Sequence, residues 1–453
     1  MTPTQRPSGM TGFTIVWFGQ VISLIGTAMS GFAVSIWAFQ ASNGSATTLA
    51  LIGFFNFAPT VIFSPIAGAL VDRWNRKLVM MLSDLASGLM TILMLVLYLT
   101  GNLQIWQLYI TGFISGIFQA FQWPAYSAAI STMIPKEKYE KAAGMMSLAE
   151  WGSGIFAPVL AGSLMAPIGL QGLLTIDIVT FIIAISALLF ISVPQPKLSA
   201  DGLASRGSLW QESIFGFKYI FKRPSLLGMQ LVFFFGNFLA TISGTLMTPM
   251  ILARTVSNAQ ILGIVNSVGS AGGVAGSLAI TAWGGPKKRV LGVVGGWFVY
   301  GILGTMLLGI GTTPVIWAIA SFFSFFTGPY INASNQALWQ AKVPPDIQGK
   351  VFSVRRMIAQ VTGPLAMLAA GPLADKVAEP AMATAQSPLG AIFGGTFGTG
   401  AGTGMSLIIF FVGLLILAVS VISYSVSAIR HAETLIPDHD QVPDVMLVET
   451  SAK

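Results

Sequence analysis

Long apolar runs alternate with short polar segments along almost the whole chain. Crossing a hydrocarbon core of about 30 Å takes roughly 20 helical residues, and the runs reach that length. They are continuous and do not alternate residue by residue, which is typical of helices and not of barrel strands. The pattern predicts an all-α membrane protein with twelve transmembrane helices, at 12–40, 46–71, 78–100, 104–131, 140–166, 171–193, 225–252, 259–283, 290–311, 314–340, 350–374 and 403–428.

Composition supports the membrane assignment. Of the 453 residues, 54% are hydrophobic and only 9% are charged, whereas a soluble domain carries about 25% charged residues. So few charges cannot cover the surface of a soluble fold of this length. The absence of cysteine excludes disulfides and thiolate chemistry.

The distribution of Lys and Arg predicts the orientation, because cytoplasmic loops retain these residues. With the twelve spans above, all of the 23 basic residues except Arg254 and Lys376 fall on one side. Both termini are therefore predicted to be cytoplasmic. The net charge of +7 then follows from topology, and the lipid bilayer, not a nucleic acid, is the expected partner.

An internal repeat indicates two halves of six spans. Pro135 and Lys141 after span four recur as Pro344 and Lys350 after span ten, at a constant offset of 209 residues. Transporters are often built from such halves, with the substrate site at their interface. The predicted organisation is a six-helix bundle at 1–193, a cytoplasmic linker at 194–224, a second six-helix bundle at 225–430 and a polar cytoplasmic tail at 431–453.

Two cytoplasmic segments carry weaker patterns. The linker has Trp210, Ile214, Phe217 and Phe221 at helical spacing, which predicts an amphipathic helix that lies either on the membrane surface or packed under the bundle. In the tail, 438–440 reads Asp-His-Asp and could bind a metal weakly. A solvated segment is the expectation there, and no metal site is predicted.

The loop between spans two and three carries a spaced set of residues, namely Gly68, Asp72, Arg73, Arg76 and Lys77. This set resembles the signature Gly-x-x-x-Asp-Arg-x-Gly-Arg-Arg of the major facilitator superfamily, with Asn75 in place of the usual glycine. Asparagine tolerates the left-handed backbone that a tight turn needs. The resemblance implies the fold of that family, two pseudo-symmetric six-helix bundles.

The resemblance also implies that this loop is a conformational latch. Gly68 would permit close helix approach, and Asp72 would present negative charge to the N-terminus of span eleven, near Gly349. In the family this contact holds the cytoplasmic side shut and breaks when the protein opens inward.

Other segments are similar to the macrolide-efflux and siderophore-export branch of the superfamily. They are 371–376, the glycine-rich 398–404, and 157–162 in span five. The resemblance implies efflux of an amphipathic, drug- or macrolide-like small molecule by proton antiport, by a monomer in a bacterial cytoplasmic membrane, with no cofactor besides the proton gradient. Span four lacks the arginine that many such antiporters carry, which speaks against that particular proton relay.

Three acidic residues inside predicted spans are candidates for proton coupling, because a charge there costs several kcal/mol. They are Asp84, Glu150 and Asp177. Glu150 lies deepest, about 15 Å into span five, with no basic residue at similar depth, so desolvation is expected to favour its protonated form.

Each of the three acids has an expected role. Glu150 either couples proton release to the opening of a cavity or stays protonated and bonded to a neighbour such as Ser147 or Ser153. We expect Asp84 to order the cytoplasmic gate and Asp177 to pack between helices.

Amide and indole groups are the candidates for substrate contacts, in spans that line the central cavity in the family. They are Gln20, Asn56, Gln119, Trp123, Asn237, Asn332, Gln336 and Gln360. With the abundant Phe, Trp and Met, they predict a cavity for a bulky, largely apolar ligand with a few hydrogen-bonding groups.

Two alternatives stay open. One is transport of a lysophospholipid or a siderophore, and the other is a membrane sensor or assembly partner that transports nothing. The sequence shows no nucleophile-and-base arrangement and no nucleotide motif, so neither an enzyme nor an ATP-driven pump is expected.

Overall fold

The computed structural model describes residues 7, 9–71, 74–135, 138–192, 216–344 and 347–438. Within these residues, all regular secondary structure is helical. The helices are α1 (Gly9–Ala41), α2 (Ala46–Val71), α3 (Arg76–Leu99), α4 (Ile105–Met133), α5 (Tyr139–Phe190), α6 (Pro224–Arg254), α7 (Ala259–Trp283), α8 (Arg289–Val299), α9 (Pro314–Lys342), α10 (Gln348–Leu373), α11 (Gly390–Phe397), α12 (Thr403–Ser425), α13 (Ser427–Arg430) and α14 (Ala432–Leu435).

Two helices continue through a wider turn. A π-helical segment, Tyr300–Met306, joins α8 to Leu307–Ile310. Another π-helical segment, Ala374–Ala378, extends α10 to Glu379–Ala381. The extended α8 therefore corresponds to predicted span nine, and the extended α10 corresponds to predicted span eleven.

In the described part, ten helices are long and apolar enough to cross a membrane, as expected of a multi-pass membrane protein. One of them is the 47-residue stretch Gly144–Phe190, which as one straight helix would be about 70 Å long, more than twice a hydrocarbon core of about 30 Å. A non-helical residue, Gly169 (φ 60°, ψ −168°), breaks it between predicted spans five and six. The count of twelve spans and the cytoplasmic position of both termini stay predictions.

Turn-forming residues set several helix ends. α2 and α7 begin and end at the predicted residues, and Gly44 and Gly284 stand beside them with positive φ, a conformation that costs glycine little. Asn75 behaves differently from the expectation. It has an extended backbone (φ −66°, ψ 111°), and its side chain accepts a hydrogen bond from the amide of Leu78 at 3.1 Å. The expected left-handed turn was wrong, and Asn75 is instead the N-cap of α3.

The chain divides into two compact units. Unit 1 contains Met1–Leu198, Gly244–Ala271 and Met367–Leu407, and unit 2 contains Ser199–Ser243, Gly272–Ala366 and Ile408–Lys453. Unit 1 thus takes two segments from the predicted second bundle. The division into bundles, linker and tail stays a prediction.

The linker is described from residue 216, so Trp210 and Ile214 lie outside the described residues. Residues 216–221 are helical. Tyr219 and Ile220 are buried, whereas 60% of Phe221 is exposed. This part of the linker therefore packs against the protein.

The start of the tail is packed as well. The Lys342 ammonium is buried, and it donates to a side-chain oxygen of Asp438 and to the carbonyls of Glu433 and Ile436, each at 2.6 Å. A buried lysine therefore holds Asp438, whose side chain is 37% exposed, and the solvated tail stays a prediction. His439 and Asp440 lie outside the described residues.

Candidate functional site

A cavity of about 460 Å³ lies within unit 1, lined by α1, α2, α3, α4 and α5. This volume falls within the range of about 300–1,000 Å³ typical of small-molecule sites. Six residues predicted from the sequence line it, namely Gln20, Asn56, Asp84, Gln119, Glu150 and Asp177. The three acids are the only charged groups among its described lining residues.

Asp84 lies in a cluster of side-chain amides. It is 8% exposed and accepts hydrogen bonds from Gln20 at 2.9 Å and from Gln122 at 2.5 Å. The Gln122 amide also donates to the Gln20 carbonyl at 3.3 Å. The cluster joins α1, α3 and α4 through neutral donors. Gln122 was not among the residues predicted from the sequence, although it lies one helical turn from the predicted Gln119.

Asp177 is held by three hydroxyl groups. It is 3% exposed, and it accepts hydrogen bonds from Thr27, Ser30 and Thr91, each at 2.9 Å. These donors belong to α1 and α3, while Asp177 lies in the second part of α5. The carboxyl group therefore fastens three helical segments together at one side of the cavity.

Glu150 differs from both aspartates because it is exposed on the cavity surface. The expectation that it is desolvated was wrong, since depth along a span does not decide which face of the helix a residue occupies. One expected neighbour, Ser153, donates instead to the carbonyl of Leu24 at 3.3 Å. The side chain of Ser147 lies outside the described residues.

Close packing of α4 on α2 places Asn56 at the cavity. Gly116 lies against the backbone carbonyl of Asn56, where a β-carbon would overlap the oxygen. Thr60 donates to the carbonyl of Gly116 at 2.9 Å. Glycine at position 116 is therefore required for this part of the cavity wall.

The predicted latch is only partly described. Asp72 and Arg73 lie outside the described residues, as do the surroundings of Gly68 within α2. Arg76 begins α3. Lys77 donates to the carbonyls of Leu189 and Ile191, at 3.2 and 2.6 Å, so its ammonium lies at the C-terminal end of α5, where the helix dipole favours a cation.

The predicted substrate contacts of the second half lie in unit 2. Asn332 donates to the carbonyl of Gly328 in its own helix at 3.0 Å, and Gln336 accepts from the Arg355 guanidinium at 2.5 Å. Asn237 and Gln360 are partly buried. The side chain of Trp123 in unit 1 lies outside the described residues. Convergence of all eight groups on one site stays a prediction.

Sequence analysis did not anticipate two acid contacts in segment 371–376 and just beyond it. Asp375 accepts from the backbone amides of Ala46 and Thr47, at 2.9 and 2.8 Å, and from the Ser45 hydroxyl at 2.7 Å. It therefore caps the N-terminus of α2. One turn later, Glu379 accepts from two amides at the start of α12, at 2.9 and 2.8 Å.

Comparisons with known proteins agree with this architecture. The family model of the Major Facilitator Superfamily matches residues 16–367. Macrolide efflux protein A of Streptococcus pyogenes is 26% identical over 370 residues, which cover 81% of this chain and 90% of that protein. The multidrug efflux pump Tap of Mycolicibacterium fortuitum is 25% identical over 366 residues, covering 77% of this chain and 87% of that protein.

A solved structure has the same fold. The crystal structure of a bacterial homologue of the human lysosomal transporter Spinster, in an inward-facing and unoccupied conformation, has a TM-score of 0.63 at 15% identity. The match covers 93% of this chain and 98% of that chain. At this level of identity the likeness shows the fold alone.

Proposed function

Because the chain belongs to the Major Facilitator Superfamily of membrane transporters, we propose that it exports an amphipathic, drug- or macrolide-like small molecule by alternating access in exchange for protons. It is a transporter and not an enzyme. In this proposal it acts as a monomer, and the proton gradient is its only energy source. The efflux activity stated in the names of its relatives supports the direction of transport.

The charge of the cavity in unit 1 is the observation that carries the proposal. Asp84, Glu150 and Asp177 line it, and none of its described lining residues is basic. Apolar groups such as Trp17 and Phe181 supply the rest of the wall. A ligand with an apolar body and a positively charged group matches this lining, because the carboxylates attract the charge and the rings bury the body.

Glu150 is the carboxyl group that we assign to proton exchange. It is exposed to the cavity, so water, protons and ligand can all reach it. A protonated Glu150 no longer attracts a cation, whereas an ionised one does. Proton and substrate then compete for one group, which is the condition for exchanging one against the other across two conformations.

Asp84 and Asp177 have a positioning role in this proposal. Each carboxyl group is buried and already bound by groups from other helices. Their hydrogen bonds hold together the helices that form the cavity wall around Glu150.

Everted membrane vesicles with an acidic lumen test the proposal. They should accumulate a labelled cationic amphiphile, and a protonophore should stop the accumulation. Matched neutral and anionic amphiphiles, a lysophospholipid and a siderophore serve as comparisons and should accumulate less. Uptake that persists after the gradient collapses contradicts proton antiport, and equal uptake of the anionic compound contradicts the assignment of substrate charge.

A second comparison in whole cells tests the predicted latch. Cells that produce the intact protein should resist more of a panel of amphiphilic inhibitors than cells that produce Asp72→Asn. Growth inhibition across the panel measures the difference. Equal sensitivity of both strains, at equal amounts of protein in the membrane, contradicts a role for the latch in efflux.

A further inference from the structure

A small basic pocket lies in unit 2, and it shares no lining residue with the cavity lined by the three acids. Its volume is about 240 Å³, and six residues line it: Lys288, Val290, Leu291, Tyr424, Arg430 and His431. Lys288, Arg430 and His431 are exposed. The six residues define the basic pocket, and none of them is acidic.

Two segments far apart in the chain build this pocket. Lys288 is the N-cap residue of α8, and its carbonyl accepts from the amide of Leu291 at 3.1 Å. On the other side, the Arg430 guanidinium lies 5.8 Å from the centre of the Tyr424 ring, a cation–π contact. Ser427 shares a hydrogen bond of 3.2 Å with His431. The basic groups of the pocket therefore lie at helix ends, where local hydrogen bonds and a ring contact hold them in place.

The segment that follows α13 holds the two sides together. Glu433 accepts from the backbone amide of Arg289 at 2.7 Å, directly beside Lys288. Lys342, which is 4% exposed, binds the carbonyls of Glu433 and Ile436 and the carboxylate of Asp438. Breaking a buried charge contact of this kind is costly. These contacts therefore hold Arg430 and His431 close to Lys288 within unit 2.

Neither acidic residue of this segment lines the pocket. The carboxylate of Glu433 is bound to the Arg289 amide, and that of Asp438 is bound to Lys342. Lys288 and Arg430 contribute two positive charges, and the His431 ring lies beside them. An anion that enters the pocket meets these groups together.

The pocket also lies at the ends of two apolar helices, where lipid headgroups are expected. It is formed where the apolar α8 begins and the apolar α12 ends, on the face that the charge distribution predicts to be cytoplasmic. Leu291 and Tyr424 are 41% and 44% exposed, and Val421, one turn before Tyr424, is 50% exposed. Exposed apolar side chains beside a tyrosine and basic groups are typical of a membrane interface.

We propose that the basic pocket binds the phosphate headgroup of an anionic phospholipid, with the acyl chains along Leu291 and Val421. Basic pockets between helices on the cytoplasmic side bind such headgroups in other membrane proteins, and anionic lipids are concentrated in that leaflet. The pocket shares no lining residue with the cavity in unit 1, so the proposal does not depend on the proposed substrate.

Native mass spectrometry of the full chain in detergent tests the site, with phosphatidylglycerol as the probe and phosphatidylcholine as the neutral comparison. The wild-type protein should retain phosphatidylglycerol preferentially. Lys288→Gln and Arg430→Gln should each weaken its binding about fivefold, and the double variant about 25-fold, since a basic residue near the headgroup contributes on the order of 1 kcal/mol.

Lys287→Gln is the matched control, because it removes the same charge one residue away and does not line the pocket. It should change binding less than twofold. Equal losses in Lys287→Gln and Lys288→Gln, or equal binding of both lipids by the wild type, would overturn the site. If the double variant does not fold by circular dichroism, the two single variants decide the outcome in the same way.

Free inorganic phosphate carries the same anionic group as the lipid headgroup and could occupy the same pocket. Inorganic phosphate, added at an ionic strength matched with chloride, should not displace phosphatidylglycerol more than chloride does, because it lacks the apolar contacts. Displacement by millimolar phosphate alone would show a soluble anion site and would overturn the assignment to a lipid.

Discussion

Asp177 and Glu150 line the same cavity but are held in opposite ways. Asp177 is 3% exposed and receives three hydroxyl hydrogen bonds from other parts of the fold, whereas Glu150 is exposed to the cavity. A carboxyl group that accepts hydrogen bonds from other helices holds those helices together. One that faces open space can exchange a proton or pair with a ligand. In the proposed mechanism, Asp177 therefore has a structural role and Glu150 exchanges the proton.

Asp84 lies between these extremes. It is buried like Asp177, but its two donors are amides from Gln20 and Gln122, and an amide can also offer its oxygen. We therefore expect substitutions of the three acids to affect stability in the order Asp177, Asp84, Glu150.

Asp177→Ala should have the largest effect on stability. It leaves three hydroxyl groups without their carboxylate acceptor, and at about 1 kcal/mol for each hydrogen bond the free energy of unfolding should fall by about 3 kcal/mol. Thermal unfolding of the purified protein in detergent measures the change. Asp177→Asn, which keeps an acceptor oxygen, is the control and should lose less. If Asp177→Ala lost no more stability than Glu150→Gln, the two acids would not differ in their structural role.

Asp84→Ala should be the second most destabilising substitution. Two amide donors lose their acceptor, so we expect a loss of about 2 kcal/mol. The same unfolding assay applies. In a double-mutant cycle with Gln122→Leu the two effects should be non-additive, because the residues share a hydrogen bond. Additive effects would show that the amide cluster does not form.

Asp375→Ala should cost about 1 kcal/mol, the usual value of an N-cap, because Asp375 caps α2 from a distant part of the chain. Lys376→Ala, at the exposed neighbouring position, is the control and should change stability by less than about 0.5 kcal/mol. Equal melting temperatures for the two variants would show that the cap adds nothing.

Glu150→Gln should have the smallest effect on stability, within about 0.5 kcal/mol, because an exposed side chain with preserved shape loses little. The same melting experiment checks this. A large loss of stability would show that Glu150 has a structural role like that of Asp177, and it would contradict the assignment of Glu150 to proton exchange.

The helical architecture could be predicted from the sequence because apolar runs and their flanking turn residues are local features. α2 and α7 have the predicted ends, and all three acids predicted inside spans line one cavity. Linear position gives the depth of Glu150 but not the face it occupies. The partners of Asp375 and Lys342 are more than 90 residues away, and a single sequence contains no signal for such pairs. The Gln122 contact was missed because many amides in apolar spans look alike.

Coupled movement of protons and substrate tests whether Glu150 exchanges the proton. In proteoliposomes with a pH-sensitive dye in the lumen, adding a cationic amphiphile to the wild-type protein should change the lumenal pH while substrate crosses in the opposite direction. Glu150→Gln should lose both signals at least tenfold, and Glu150→Asp, which keeps the carboxyl group, should retain part of them. Full coupled proton and substrate movement in Glu150→Gln would contradict the account.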